Sequence, residues 1–226
     1  AGARPEYLPV ILAHAASGVS ARSSSTTSFA CYSVVNGPVR GEIGMSDGIG
    51  AMGPHNHANV AIGRAYNLLS MNLQGGSEPG DTYMGSLGNP LNYSMTFPEA
   101  EERSPWQPLH EDLGFDSDDS TVTLFAAGGL MEVSEHTART AAGVLRTIAA
   151  TLAMVWSWRR CLRVEAVLVL CPEHAATVSA DGFSKSDVRD FLFENTGVPV
   201  RAFEYEGTEG SQGLGHYQEG LIAGEP

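Results

Sequence analysis

The stretch GMSDGIGAMGPHNHANVAIGRAY, from Gly44 to Tyr66, constrains this chain more than any other. Its glycines permit positive φ and close backbone approach. They run straight into a segment, Asn56 to Leu73, whose apolar positions Ala58, Ala61, Ala65, Leu68, Leu69 and Met71 follow helical spacing. The letters Gly48-Ile49-Gly50-Ala51-Met52-Gly53 match the GxGxxG dinucleotide fingerprint, but the context does not. The nearest strand-like run, Ala30 to Val35, ends about a dozen residues too early, and no acid follows until Glu78. No Rossmann cofactor is expected, and no other cofactor can be named. Two readings of the glycines stand. They lead into a helix N-terminus whose free N–H groups favour a small anion near Ser46, His55 and Asn56, or they form a tight connection packed under neighbouring helices.

Elsewhere, helical and strand-like segments alternate. Pro5 suits a first helical turn, Tyr7 to Ala16 are apolar enough for a buried helix, and Gly18 stops it. Ala21 to Ser28 reads as a hydroxyl-rich linker, Asn36-Gly37-Pro38 as turn chemistry, and Gly75-Gly76 as a helix stop. Strands are expected at Tyr93 to Phe97 and Thr121 to Ala126, and above all at Val164 to Leu170, the most strand-like run in the chain. A long helix is expected from about Glu135 to Trp156, with Ala142, Leu145, Ile148, Leu152 and Val155 on one face. Pro172 opens a short helix, and Ser184 with Asp187 at the capping-box offset opens another that runs through Phe193. The pattern implies an α/β or α+β fold, a layered mixed sheet with packed helices in one domain over residues 1–203. Residues 204–226 form an acidic, glycine-rich tail, either mobile or wrapped on a partner.

Thirteen basic against twenty-six acidic residues give a formal charge of −13, which repels a phosphate backbone and argues against nucleic acid as a partner. The longest apolar run, Ala149 to Trp158, falls short of the roughly 20 residues a bilayer span needs, so no membrane partner is expected. Cys31, Cys161 and Cys171 show no metal-ligand spacing and no disulfide framework, which points to a reducing cytoplasm. The start AGARPEYLPVILAHAA lacks an initiator Met and the shape of a signal peptide, as expected of a chain cut from something longer, processed, or built as one piece of a complex.

Candidate chemistry lies at several points. His55 and His57 could ligate a metal if a third ligand arrived from elsewhere, or could be solvated or capping histidines. Glu99, Glu101 and Glu102 belong to a segment with eight carboxylates between Glu99 and Asp119. Crowded like charges there would raise a carboxyl toward neutrality and make a general base, or the segment is simply an exposed acidic turn. Glu173 and His174 follow the expected Val164 to Leu170 strand, where α/β folds gather ligands, and Glu135-His136 sits near a helix start. Cys171, at the same strand end, is either a nucleophile or a buried inert thiol.

Five phrases occur in order: ARPEYLPVILA, VVNGPVRGEIGM, ANVAIGRAYNLL, ERSPWQPLH and CPEHAATVSADGFSKSDVRDFL. Together, across nearly the whole chain, they resemble a bacterial family of largely uncharacterised proteins with AGCxPEYxPV, NGPI, ANATIGRA, AENEExSPWxPLH and PEHAxxIAxDGxSKxDV segments. The shared positions are Glu6, Asn36, Asn59, Arg64, Glu99, Glu101, Glu102, Trp106, His110, Glu173, His174, Asp181 and Lys185. Members are frequently associated with a UGSC-type cysteine or selenocysteine module, which implies thiol or selenol redox chemistry. The chain departs from the pattern at Ala3 and Thr96, where the family often has Cys, and at Ala100, where it often has Asn. An in-chain thiol is therefore not implied at those positions.

These readings converge on a subunit or domain of an enzyme acting on a small anionic organic substrate. The substrate would lie between the Gly44 to Asn59 loop and the Glu173/His174 strand end. His174 or His136 would be the acid/base, with Glu173 beside it and Glu102 a second carboxylate. Arg64 or Lys185 would neutralise substrate charge, and Gly48, Gly50, Asn59 and His110 complete the binding set. The step would be reductive or a lyase step, with a partner chain supplying thiol equivalents. The competing expectations are a noncatalytic scaffold subunit and a metal-dependent hydrolase using His55 and His57.

Overall fold

The computed structural model describes residues 1–19, 28, 30–73, 78–156, 166–199 and 221–223. Their contacts sort into two compact units, Ala1–Arg103 with Gln107–Met131, and Ser104–Trp106 with Glu132–Pro226. The fold is α/β, a mixed sheet with packed helices, as the alternation of elements predicts.

In the first unit the central strand is β1 (Ala30–Asn36). It pairs parallel with β2 (Thr96–Pro98) and antiparallel with β3 (Thr121–Ala127), giving the order β2-β1-β3. Its side chains alternate between faces, as a two-residue period requires. Val35 joins the core made by α1 (Leu8–Ala16) and α3 (His57–Leu73), where Tyr7, Val10, Ile11, Ala58, Ala61, Ile62 and Ala65 are buried. Val34 on the opposite face packs with Met95 and Phe97, against Tyr32, Leu109 and Phe125. Burying a side chain such as Ile62 or Val35 contributes about 1.5–3 kcal/mol each. Gly18 ends α1 at φ +67°, as expected.

Short elements follow the strand ends. Pro38 leads into the single turn α2 (Val39–Glu42) after β1, a 3-10 turn at Glu101–Arg103 follows β2, and α4 (Leu109–Asp112) comes next. The C-terminal ends of the parallel pair β1 and β2 therefore lie side by side, with Asn36 and Glu99 leaving together.

In the second unit, α5 (Ala141–Trp156), α6 (Pro172–Ala180) and α7 (Lys185–Asn195) bury Ala141, Val144, Leu145, Ile148, Val178 and Val188. The capping box of Ser184 and Asp187 forms as its spacing predicts. β4 (Gly197–Pro199) pairs antiparallel with β5 (Leu221–Ala223), a segment of the expected tail.

Two expectations fail here. The long helix does not begin at Glu135: residues 135–140 are non-helical, because the Glu135 carboxylate accepts from the Thr137 and Ala138 amides and forms a turn of its own. Nor is there a strand at 166–170, which has no ladder partner among the described residues. Apolar, β-branched composition favours a strand only where a neighbour offers hydrogen bonds, and Val167, Leu168 and Val169 stay 42%, 37% and 50% exposed. Val164, Cys161, the Gly75-Gly76 stop and nearly all of the Ala21 to Ser28 linker lie outside the described residues. Among the described residues no helix is long and apolar enough to cross a membrane.

Candidate functional site

Three clusters of the first unit carry polar chemistry. The first is built where β1 and β2 end. Arg40, almost buried, donates from Nε to the Gly37 carbonyl (3.0 Å) and from Nη1 to the Glu99 carbonyl (2.7 Å). Its Nη2 donates to Glu101 Oε2 (2.7 Å) and Glu102 Oε1 (2.9 Å). Asn36 Nδ2 donates to Glu99 Oε2 (2.6 Å) and Glu101 Oε1 (2.8 Å), and the amides of Gly37 and Leu109 donate to the same two carboxylates. Gly37 is required: its φ is +83°, and a Cβ would collide with the Asp119 carbonyl. His110 is 1% exposed, with Nδ1 3.9 Å from Glu101 Oε1 and neither ring nitrogen hydrogen-bonded to any described residue.

This geometry corrects the expected chemistry of Glu102. Crowding by like charge was to raise its carboxyl toward neutrality. Instead the hydrogen bond from the Arg40 guanidinium, set among the carboxylates, holds it below the usual range. Glu102 is thus an ion-pair partner and not a base poised near neutral pH.

The second cluster is the glycine loop, whose contacts favour the packing reading. Asn56 Oδ1 caps α3 by accepting from the Asn59 amide (3.0 Å). The buried Asn59 side chain ties the loop down, accepting from the Ser46 amide and donating to the Ser46 and Ala51 carbonyls. Gly50 has φ +79°, and the His55 ring lies over it and Gly53. A Cβ on Gly48 would meet nothing closer than Ser46 Oγ at 3.7 Å, so nothing in the structure explains that glycine. The exposed His57 shares a hydrogen bond between Nδ1 and the Tyr7 hydroxyl (3.0 Å), and the described residues gather no group of three His, Cys, Asp or Glu that could hold a metal.

The third is a cavity of about 400 Å³ beside α3, lined by Met52, Val60, Arg64, Ser94, Met95 and Thr96 among others, and mostly apolar. The Arg64 guanidinium makes no hydrogen bond or ion pair with any described residue. Behind Thr96 runs a buried chain: Thr96 Oγ1 to Ser33 Oγ (2.7 Å), Ser33 Oγ to His14 Nε2 (2.8 Å), and His14 Nδ1 to the Val10 carbonyl (2.7 Å). The β1–β2 register produces it, because Ser33 lies opposite Thr96. Gly63 lets α3 press on this strand, since a Cβ there would fall 2.5 Å from Ser94 Oγ.

Arg64 and Asn59 of the expected set therefore line one cavity, and Glu102 and His110 belong to the Arg40 cluster. Gly48 and Gly50 line neither. His136, Glu173, His174 and Lys185 lie in the second unit. There His174 Nε2 donates to the Glu135 carbonyl (3.1 Å), while Glu173 and His136 are exposed. The strand end that was to place Glu173 and His174 is absent at 166–170. Cys171, expected to be buried if inert, is exposed. Arg40, His14 and Ser33 escaped the sequence reading. The one local signal was His14, four residues after Val10 on the apolar side of its helix. Compared with protein-family models, with curated proteins and with solved structures, the chain matches none.

Proposed function

We propose that this chain is a subunit or domain of an enzyme acting on a small anionic organic substrate, held in the cavity beside Arg64. One observation carries the reading: a half-buried guanidinium without a counter-charge among the described residues, on a mostly apolar wall. A planar, permanently charged fork is suited to bidentate capture of a carboxylate, and the apolar lining suits an organic body. In a chain of net charge −13 such a locally cationic recess stands apart from its surroundings. The family resemblance supports a reductive or lyase step fed by a thiol module on another chain. The sparse cysteines support a cytoplasmic setting.

The test is calorimetric titration of the full chain with a short aliphatic carboxylate, beside the variant Arg64→Gln. Saturable binding that weakens tenfold or more in the variant is expected; equal binding by both proteins refutes the reading. The scaffold reading is favoured by the exposed Val167, Leu168 and Val169. Native mass spectrometry of the isolated protein showing a stoichiometric second chain and no small molecule would select it.

A further inference from the structure

The direction of the hydrogen bonds behind Thr96 is determined by where the chain ends. A backbone carbonyl only accepts, so His14 Nδ1 must carry the hydrogen given to Val10. His14 is fully buried, and burial lowers its pKa, so the ring is neutral at pH 7 and its Nε2 is a bare acceptor. Ser33 must then donate to Nε2, and Thr96 must donate to Ser33. The single hydroxyl hydrogen of Thr96 is committed inward. Ser94, also on the cavity wall, spends its hydrogen on the Val60 carbonyl (2.9 Å). Both hydroxyls can offer a ligand only lone pairs, while Arg64 offers only donors.

We propose that the cavity selects a small organic acid carrying a hydrogen-bond donor, a hydroxyl or an amine, close to its carboxylate. Arg64 takes the carboxylate, Thr96 Oγ1 or Ser94 Oγ accepts from the donor, and Met52, Val60 and Met95 cover the apolar remainder. The spacing is short. Ser94 bonds at Val60, and Arg64 is four residues further along α3, a rise of about 6 Å. The inference rests on the anionic-substrate reading and adds the second polar group of the ligand. An acid with a ketone in place of the donor would set its oxygen against two others with no hydrogen between them, the kind of mismatch a polar site rejects.

Four matched ligands test this at pH 7 on the full chain: caproate and its α-hydroxy, α-amino and α-oxo derivatives, titrated calorimetrically. The α-hydroxy or the α-amino acid is expected to bind about tenfold tighter than caproate, as one added hydrogen bond of upper-range strength allows, and the α-oxo acid more weakly than caproate. Whichever donor is preferred identifies a hydroxy-acid or an amino-acid site. Thr96→Val should reduce the preference, and the double variant Thr96→Val/Ser94→Ala, which removes both acceptors, should erase it. Ser33→Ala frees the Thr96 hydrogen to turn outward and should shift preference toward the α-oxo acid, a change that a purely structural serine would not produce. Equal binding of all four acids, or preference for the α-oxo acid by the unmodified chain, overturns this inference but leaves Arg64-dependent anion binding intact. No saturable binding of any of the four, or binding unaffected by Arg64→Gln, overturns the underlying reading as well.

Discussion

Replacing Arg40 by Met keeps most of the side-chain volume and removes the one cation inside the cluster at the strand ends. The side chain makes five hydrogen-bond contacts, to Gly37, Glu99, Glu101 and, twice, Glu102. They do not count equally. The Glu102 side chain is 73% exposed, so water screens that pair and it contributes little. Glu101 is only 13% exposed, and without Arg40 it keeps the Asn36 and Gly37 donors on one oxygen while the other faces the protein unpaired. Removing one member of a buried pair costs about 3–5 kcal/mol, and the two retained donors place Arg40→Met near the low end, at about 3 kcal/mol. Urea unfolding, with hydrogen exchange of the β1 amides as readout, should show the midpoint falling by roughly 1–2 M at a slope of about 2 kcal/mol per M. Adding Glu101→Gln removes the stranded charge and should recover about 1 kcal/mol or more, as expected for residues in direct contact. A loss under about 1 kcal/mol for Arg40→Met, the worth of a surface pair, would refute the argument that the cluster is buried.

Gly63→Ala should cost about 1–3 kcal/mol, because the new methyl meets Ser94 Oγ at 2.5 Å and the Met95 amide nitrogen at 2.9 Å, whereas Gly48→Ala should stay within about 0.5 kcal/mol. Thermal unfolding of both variants checks this, and equal midpoints would mean that α3 does not press on β2. The Glu135 carboxyl, held low by the Thr137 and Ala138 amides and the Thr137 and Thr147 hydroxyls, should titrate at about 2 by carbonyl NMR. Its folded value is depressed, so its contribution to stability is present above the ordinary carboxyl range and is lost as pH falls toward about 2. A midpoint near 4.5 would show that the turn before α5 does not form.

The Arg40 cluster and the Thr96 chain differ from the rest of the fold in how far apart their members lie in sequence. Helix starts, stops and caps are decided within a few residues, and those were legible. The Ser184/Asp187 box, the Gly18 stop, the Pro172 start and the helical spacing from Asn56 all appear where the sequence puts them. Strand β3 was legible too, because β1 lies ready to pair with it. The Val164 to Leu170 run has equal apolar character but over 166–170 finds no ladder partner among the described residues, and composition alone does not carry that information. The charged segment after Glu99 was legible as acidic, yet the sign of the Glu102 shift was not, because the deciding charge, Arg40, lies some sixty residues away. Arg64 could be named from the helix that carries it, but the cavity that gives it a role is closed by Ser94 and Thr96 of another segment. The sequence by itself determined the local elements and their polar inventory. Which side chains meet was decided by the parallel register of β1 and β2, which sets Ser33 against Thr96 and brings Asn36 beside Glu99, because contacts of that range exist only once non-neighbouring strands have paired.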